Sequence, residues 1–168
     1  MESQDWKIAE IPGYRALGYK WEGSYAEVGS LKEVIYRMSD RVNELDFAVN
    51  PETQLGLSYH LRPDGFVHYS AYEVTEDQHV PEDMVEFFVP RMTYLTVQHQ
   101  KGQNIGQTYE SIFLWMGENG YKPYVHVDGK VFDKLPVKHE RYPHNRDLED
   151  PHFEILIPIE KISQVSNQ

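Results

Sequence analysis

The 168-residue sequence predicts an α+β fold: two helices on a curved, mostly antiparallel sheet, built as two β-α-β-β units with pseudo-twofold symmetry. Three observations predict it. Two segments carry apolar residues at helical spacing: Leu31, Val34, Ile35, Met38, Val42 and Leu45, then Ile105, Tyr109, Ile112, Phe113 and Met116. A hairpin pattern follows each of them. The halves can also be laid over each other. Tyr14 falls on Tyr94 at an offset of 80, and Leu31, Ile35 and Met38 fall on Tyr109, Phe113 and Met116 at an offset of 78. A two-residue gap before the helix reconciles the offsets.

Element by element, Lys7 to Tyr19 is extended sequence broken by Pro12-Gly13, and YRALGYKW continues it as a strand. Ser24 and Glu27 have capping-box spacing, so the first helix is expected over Tyr25 to Leu45. Gln54 to Leu61 and Phe66 to Val74 form a hairpin about Pro63-Asp64-Gly65. Phe87 to Gln98 is the next strand region, with the β-branched Thr96 and Val97. The second helix is expected over Asn104 to Met116, ended by Gly117-Glu118-Asn119-Gly120. Tyr124 to Val127 and Lys130 to Phe132 flank Asp128-Gly129, a hairpin signal. Asp133 to Pro151 is polar, rich in Pro and His, and reads as a surface loop or lid. The final strand is His152 to Ile159, HFEILIPI. One domain over 1-168 is expected, with repeats of about 1-80 and 81-160.

In HFEILIPI, Phe153, Ile155, Ile157 and Ile159 share one face, and His152, Glu154, Leu156 and Pro158 the other. Leu156 and Pro158 suggest that the second face is also covered. Glu154 then becomes a lone carboxylate among apolar neighbours, which a cation, a tyrosine hydroxyl or a proton would have to compensate.

Composition excludes several classes. The net charge of −11 and the lack of Lys/Arg clusters argue against direct binding of nucleic acid. With no cysteine, disulfides, thiolate metal sites and cysteine nucleophiles are ruled out. The eight histidines show no HExxH or compact ligand spacing, so no metal is expected. Walker A, GxGxxG and serine-elbow motifs are missing, so no cofactor is expected. No apolar leader or membrane-length run occurs, which predicts a soluble cytoplasmic protein. Twelve tyrosines suit a ligand pocket and an ordinary antiparallel sheet alike.

Tyr94-x-x-x-x-His99-x-Lys101-Gly102, IGQTYESIFLWMGENGY and FEILIPI together resemble the GyrI-like family, the effector-binding domain of AraC- and MerR-type transcription regulators. The resemblance spans nearly the whole chain. It implies a duplicated β-α-β-β fold with a small-molecule cleft between the halves. In multidrug-responsive members a buried glutamate on the last core strand pairs with cationic aromatic ligands, and Glu154 matches it. Some stand-alone members hydrolyse small electrophilic compounds with the pocket acid, and one protects DNA gyrase. Many members carry a Glu-x-Tyr strand after the second helix; here that place reads Tyr124-Val125-His126-Val127, so such a role does not transfer.

The resemblance makes Glu154 the expected ligand-binding acid, and the catalytic one if the protein is an enzyme. Trp115, Tyr109, Tyr69, Tyr72 and Tyr124 are candidate walls; core packing would also explain Trp115 and, more readily, Tyr109, and Tyr124 could instead close a hairpin. Which face of the HYSAYEV strand meets the cleft is open. The expected function is a stand-alone module that binds a hydrophobic and, where charged, cationic molecule. The alternatives are a hydrolase of electrophilic toxins, and a protein that contacts gyrase or a regulator. No helix-turn-helix precedes the domain, so the chain is not expected to bind DNA itself. A monomer or weak dimer is expected.

Overall fold

The computed structural model describes residues 6–144 and 146–163. The extreme N-terminus, on which part of the leader reading rests, lies outside these, as does Asn145. Among the described residues there are nine strands and two α-helices: β1 (Lys7–Ile11), β2 (Tyr14–Ser24), α1 (Gly29–Asp40), β3 (Thr53–Arg62), β4 (Gly65–Val74), β5 (Val85–Val89), β6 (Met92–His99), α2 (Ile105–Glu118), β7 (Tyr121–Pro123), β8 (Val137–Pro143) and β9 (Phe153–Lys161). All strand pairings are antiparallel, in the order β1-β6-β9-β8-β3-β4-β2-β5, with β7 added to the end of β9.

That order is symmetric about the β3–β8 seam. Each half contributes a strand, a helix and a strand pair: β2-α1-β3-β4 and β6-α2-β8-β9. β9 therefore mirrors β4, as the sequence repeat implies. The seam pairs Thr53 through Tyr59 with Pro143 through Val137. β5 ends the sheet order at one side and β6 stands second from the other, yet only Pro90 and Arg91 separate them. So short a link forces the ends together, and the sheet is strongly curled.

Both helices lie on one face. Met38 of α1 packs with Leu17, Tyr19 and Tyr72, while Ile112 and Met116 of α2 pack with Leu95, Val97, Ile155 and Ile157. Inside the curl, the other face buries Leu55, Leu57, Tyr59, Tyr94 and Leu156. The division of HFEILIPI is as expected: Phe153 and Ile155 are buried under α2, and Leu156 is buried on the opposite side.

α1 is shorter than its apolar pattern, because single 3₁₀ turns flank it at Tyr25–Glu27 and Val42–Glu44. The Ser24 amide donates to Glu27 at 2.8 Å, so the capping pattern serves the first of these turns. Asn104 caps α2 by accepting from the Gln107 amide at 2.9 Å. Gly120, at φ +80°, turns the chain out of α2 in the left-handed region.

One assignment needs correction. Residues 124–136 form no hairpin; they cross the sheet end, held by Phe132 N–H to the His60 carbonyl and His60 N–H to the Pro136 carbonyl. The second strand of the second unit is β8, inside the segment read as a surface loop or lid. Its partners explain this. β3 and β9 each present an open ladder, and β8 satisfies both.

Candidate functional site: a groove over the central seam

β8 alternates Lys138, Glu140 and Tyr142 with Val137, His139 and Arg141. Glu140 pairs with Ile155 and Gly56, so it faces the helices. It lies in a groove of about 260 Å³ lined by Leu31 and Ile35 of α1, Ser58 and His60 of β3, Phe66 and His68 of β4, and Lys138, Glu140, Tyr142 and Arg146. Tyr109 reaches it from α2. The groove therefore lies on the seam between the two halves.

Two phenols hold the Glu140 carboxylate. Tyr109 donates to Oε2, and Tyr142 donates to Oε1 at 2.6 Å. Burial raises the Glu140 pKa above the ordinary carboxylate value, while the two phenols, Arg146 and Lys138 pull against this. Burial and the adjacent carboxylate push both tyrosines well above the usual phenol value. Gly56 makes the close approach available. A Cβ there would stand 3.1 Å from His68 Cε1 and 3.5 Å from both Glu140 Oε1 and Tyr142 Cε2.

Cationic groups flank the acid. The Arg146 guanidinium lies over the Tyr142 ring, 3.4 Å from its centroid, and Nη1 donates to Gln54 Oε1 at 3.2 Å. Gln54 is itself anchored by its amide donating to Ile35 O and Ser70 Oγ. Lys138 Nζ donates to Asp133, the Leu135 carbonyl and His60 Nε2. Because the ammonium can only donate, His60 Nε2 is the acceptor, and Nδ1–H points to the Tyr25 hydroxyl. Burial and Lys138 drop the His60 pKa to about 4; burial and Arg146 drop that of His68 to about 3. Both rings are neutral near pH 7.

The expected site residues scatter. Tyr109 is at the groove. Tyr72 is on the same sheet face but fully buried beside α1, its hydroxyl 2.9 Å from His144 Nδ1. Tyr69 is on the opposite face against Phe87. Trp115 stacks on Tyr121 and packs on Trp6, at the far side of α2. Tyr124 is exposed beyond β7, its amide bonded to the Pro158 carbonyl.

Glu154 also departs from expectation. Its side chain is 28% exposed and stands 3.6 Å from Arg141 Nη1, so it is neither lone nor sealed in an apolar shell. It borders a wider depression of about 690 Å³ on the face opposite the helices, with Glu52, Glu73, Gln98 and Arg141. The sequence reading passed over Glu140 and Tyr142. The signal was there: the Glu-x-Tyr pattern sought at Tyr124–Val127 occurs at Glu140-Arg141-Tyr142, sixteen residues later on β8.

Two helices over a curled antiparallel sheet, with an acid-bearing groove at their shared seam, define a small-molecule-binding domain. The chain belongs to the GyrI-like small molecule binding domain family, whose model matches residues 4–160. It is 30% identical over 131 residues to the transcriptional regulator BrlR of Pseudomonas aeruginosa, covering 76% of this chain and 48% of that protein. The chain thus spans about half the length of this relative. Its fold is similar to the C-terminal domain of EcmrR, at a TM-score of 0.64 and 16% identity, covering 94% of this chain and 98% of that one. It is also similar to SAV2435 bound to tetraphenylphosphonium, at a TM-score of 0.62 and 11% identity, covering 94% of each chain. Among the described residues no helix is long and apolar enough to cross a membrane, and no group of three metal-ligating side chains converges.

Proposed function

We propose that this protein binds a small aromatic amphiphile in the groove over the β3–β8 seam, with Glu140 rather than Glu154 holding its hydrogen-bonding or cationic end. Glu140 carries this reading. It is a carboxylate set deep between two helices, aligned by two phenols and flanked by the apolar Leu31, Ile35 and Phe66. A donor on the ligand would compensate its burial, and the rings of Phe66 and Tyr142 would cover an aromatic body. The structure of SAV2435 bound to tetraphenylphosphonium supports an aromatic ligand for this fold. The module would sense a ligand on behalf of a regulator, or sequester a toxic compound.

Binding is favoured over hydrolysis because both Glu140 oxygens already accept hydrogen bonds, which orients the carboxylate but blunts it as a nucleophile. A thermal-shift panel of aromatic amphiphiles, tetraphenylphosphonium included, tests the reading. Wild type is stabilised by at least one compound, and Glu140→Gln loses about tenfold or more in affinity for it, roughly 1.4 kcal/mol. Glu154→Gln behaves as wild type. Undiminished binding by Glu140→Gln would defeat the assignment.

A further inference from the structure

The polar groups facing the groove do not describe a site for a bare cation. Arg146 Nε is buried and has no hydrogen-bond partner among the described residues. It carries a hydrogen and can only donate. The guanidinium is not free to turn away, since Tyr142 supports it from one side and Gln54 fixes Nη1. His68 is 5% exposed and lines the same groove. Its Nδ1 is satisfied by Ser58 Oγ at 2.8 Å, while Nε2 is buried with no partner. When the Ser58 hydroxyl donates to Nδ1, His68 presents Nε2–H as a second donor.

A buried donor left unmade is costly, so Arg146 Nε–H calls for an acceptor, which His68 Nε2–H in that tautomer would share. Lys138 does not compete for it, because Asp133, Leu135 and His60 already take up its ammonium hydrogens. The charges left at the groove without an ion-pair contact among the described residues are then Glu140 and Arg146, of opposite sign and attracting each other across it. A lipophilic cation entering beside Glu140 would meet Arg146 as a like charge.

We propose that the ligand of this groove is zwitterionic: an aromatic molecule with a cationic end at Glu140 and a carboxylate or equivalent anionic oxygen at Arg146 Nε and His68 Nε2. This inference rests on the groove being the ligand site, and it adds the second pole. Arg146 and His68 select the anionic end, and an aromatic ring between the poles would meet Phe66.

Three probes on one skeleton separate the possibilities: benzyltrimethylammonium, 4-methylbenzoate and 4-(trimethylammoniomethyl)benzoate. Each is titrated calorimetrically into wild type, Arg146→Met, Arg146→Lys and Glu140→Gln, all checked for folding by their melting transitions. Wild type binds the zwitterion about tenfold or more tighter than either singly charged probe. Arg146→Met erases the advantage over benzyltrimethylammonium, whose own binding holds or tightens; Arg146→Lys keeps part of it, having the charge without the planar fork. Equal binding of cation and zwitterion by wild type overturns the proposal, as does an unchanged ratio in Arg146→Met or no zwitterion binding at millimolar concentration. If the cation binds wild type but not Glu140→Gln in those cases, the groove stands and only the second pole falls. If Glu140→Gln binds all probes as wild type does, the groove itself is the wrong site.

Discussion

Glu140 and Glu154 lie on adjacent strands, one register step apart, and face opposite sides of the sheet. In the sequence, Glu154 stood out because its neighbours are apolar. Glu140 stood among Lys138, His139 and Arg141 and looked like surface. The structure reverses that contrast, because Glu154 meets Arg141 and solvent while Glu140 meets Tyr109 and Tyr142. Apolar neighbours along a strand report burial of the strand, not of each side chain. Two predictions belong to these side chains. The Glu140 pKa is raised, so near pH 7 its charge opposes folding. Glu140→Gln, whose amide oxygen accepts from one phenol and whose NH2 donates to the oxygen of the other, should melt at or above the wild-type temperature while losing ligand; a clear drop in melting temperature would contradict this. Gly56→Ala places a methyl 3.1 Å from the His68 ring, so His68 must shift into the groove. Affinity for the groove ligand should fall several-fold with the fold retained, as titration of the purified variant will show; unchanged affinity would count against the groove geometry.

Most elements were legible from periodicity. The helices, the Pro63-Asp64-Gly65 hairpin and the last strand follow the expected pattern. β8 was not legible, and its chemistry explains why. A strand buried on both faces is expected to be apolar, but VKHERYP is polar on both. Its polar groups are satisfied across the fold: His139 lies between the Tyr59 and Tyr94 hydroxyls at 3.0 and 3.3 Å, Glu140 takes two phenols, and Lys138 meets Asp133. Tyr59, Tyr94 and Tyr109 are distant in sequence, so no local window contains them, and the nearby Asp133 and Tyr142 look like surface residues without them. Asp128-Gly129 misled in the opposite direction. It does hold a turn-forming glycine at φ +119°, but no strands flank it. Hydrogen exchange distinguishes the two assignments. The inner β8 amides should exchange as slowly as those of β3, while those of Val125 to Lys130 should exchange orders of magnitude faster. Fast exchange throughout β8 would return it to a surface loop.

At the scale of the whole molecule, duplication explains both the fold and the site. The internal repeat set the symmetric order of the sheet, and symmetry puts β3 beside β8 with a helix over each side. A groove at that seam follows from topology; which side chains line it does not, because the two halves differ there. Burial also makes the fold acid-sensitive. His68 and His139 are held near a pKa of about 3 and His60 near about 4, against an ordinary value of 6.5. The unfolded chain therefore binds protons that the fold refuses once pH drops below about 6.5, and stability falls until the folded values are reached. The raised Glu140 acts in the opposite sense, with its cost appearing as pH rises above the unfolded carboxylate value. Burial lowers the pKa of five rings, His99 and His126 included, against two raised acids, Glu140 and Glu73, so the melting temperature should fall steadily from pH 6.5 to pH 4.5. A flat profile in scanning calorimetry over that range would mean that the rings are not buried neutral. The location of the ligand tests the central claim most directly. Crystals soaked with an iodinated benzyltrimethylammonium or its 4-carboxylate analogue would mark the site by the iodine's anomalous signal. The account predicts a peak between α1 and α2, beside Glu140 and Tyr142; a peak in the depression bordered by Glu154 and Arg141, with the groove empty, would contradict it.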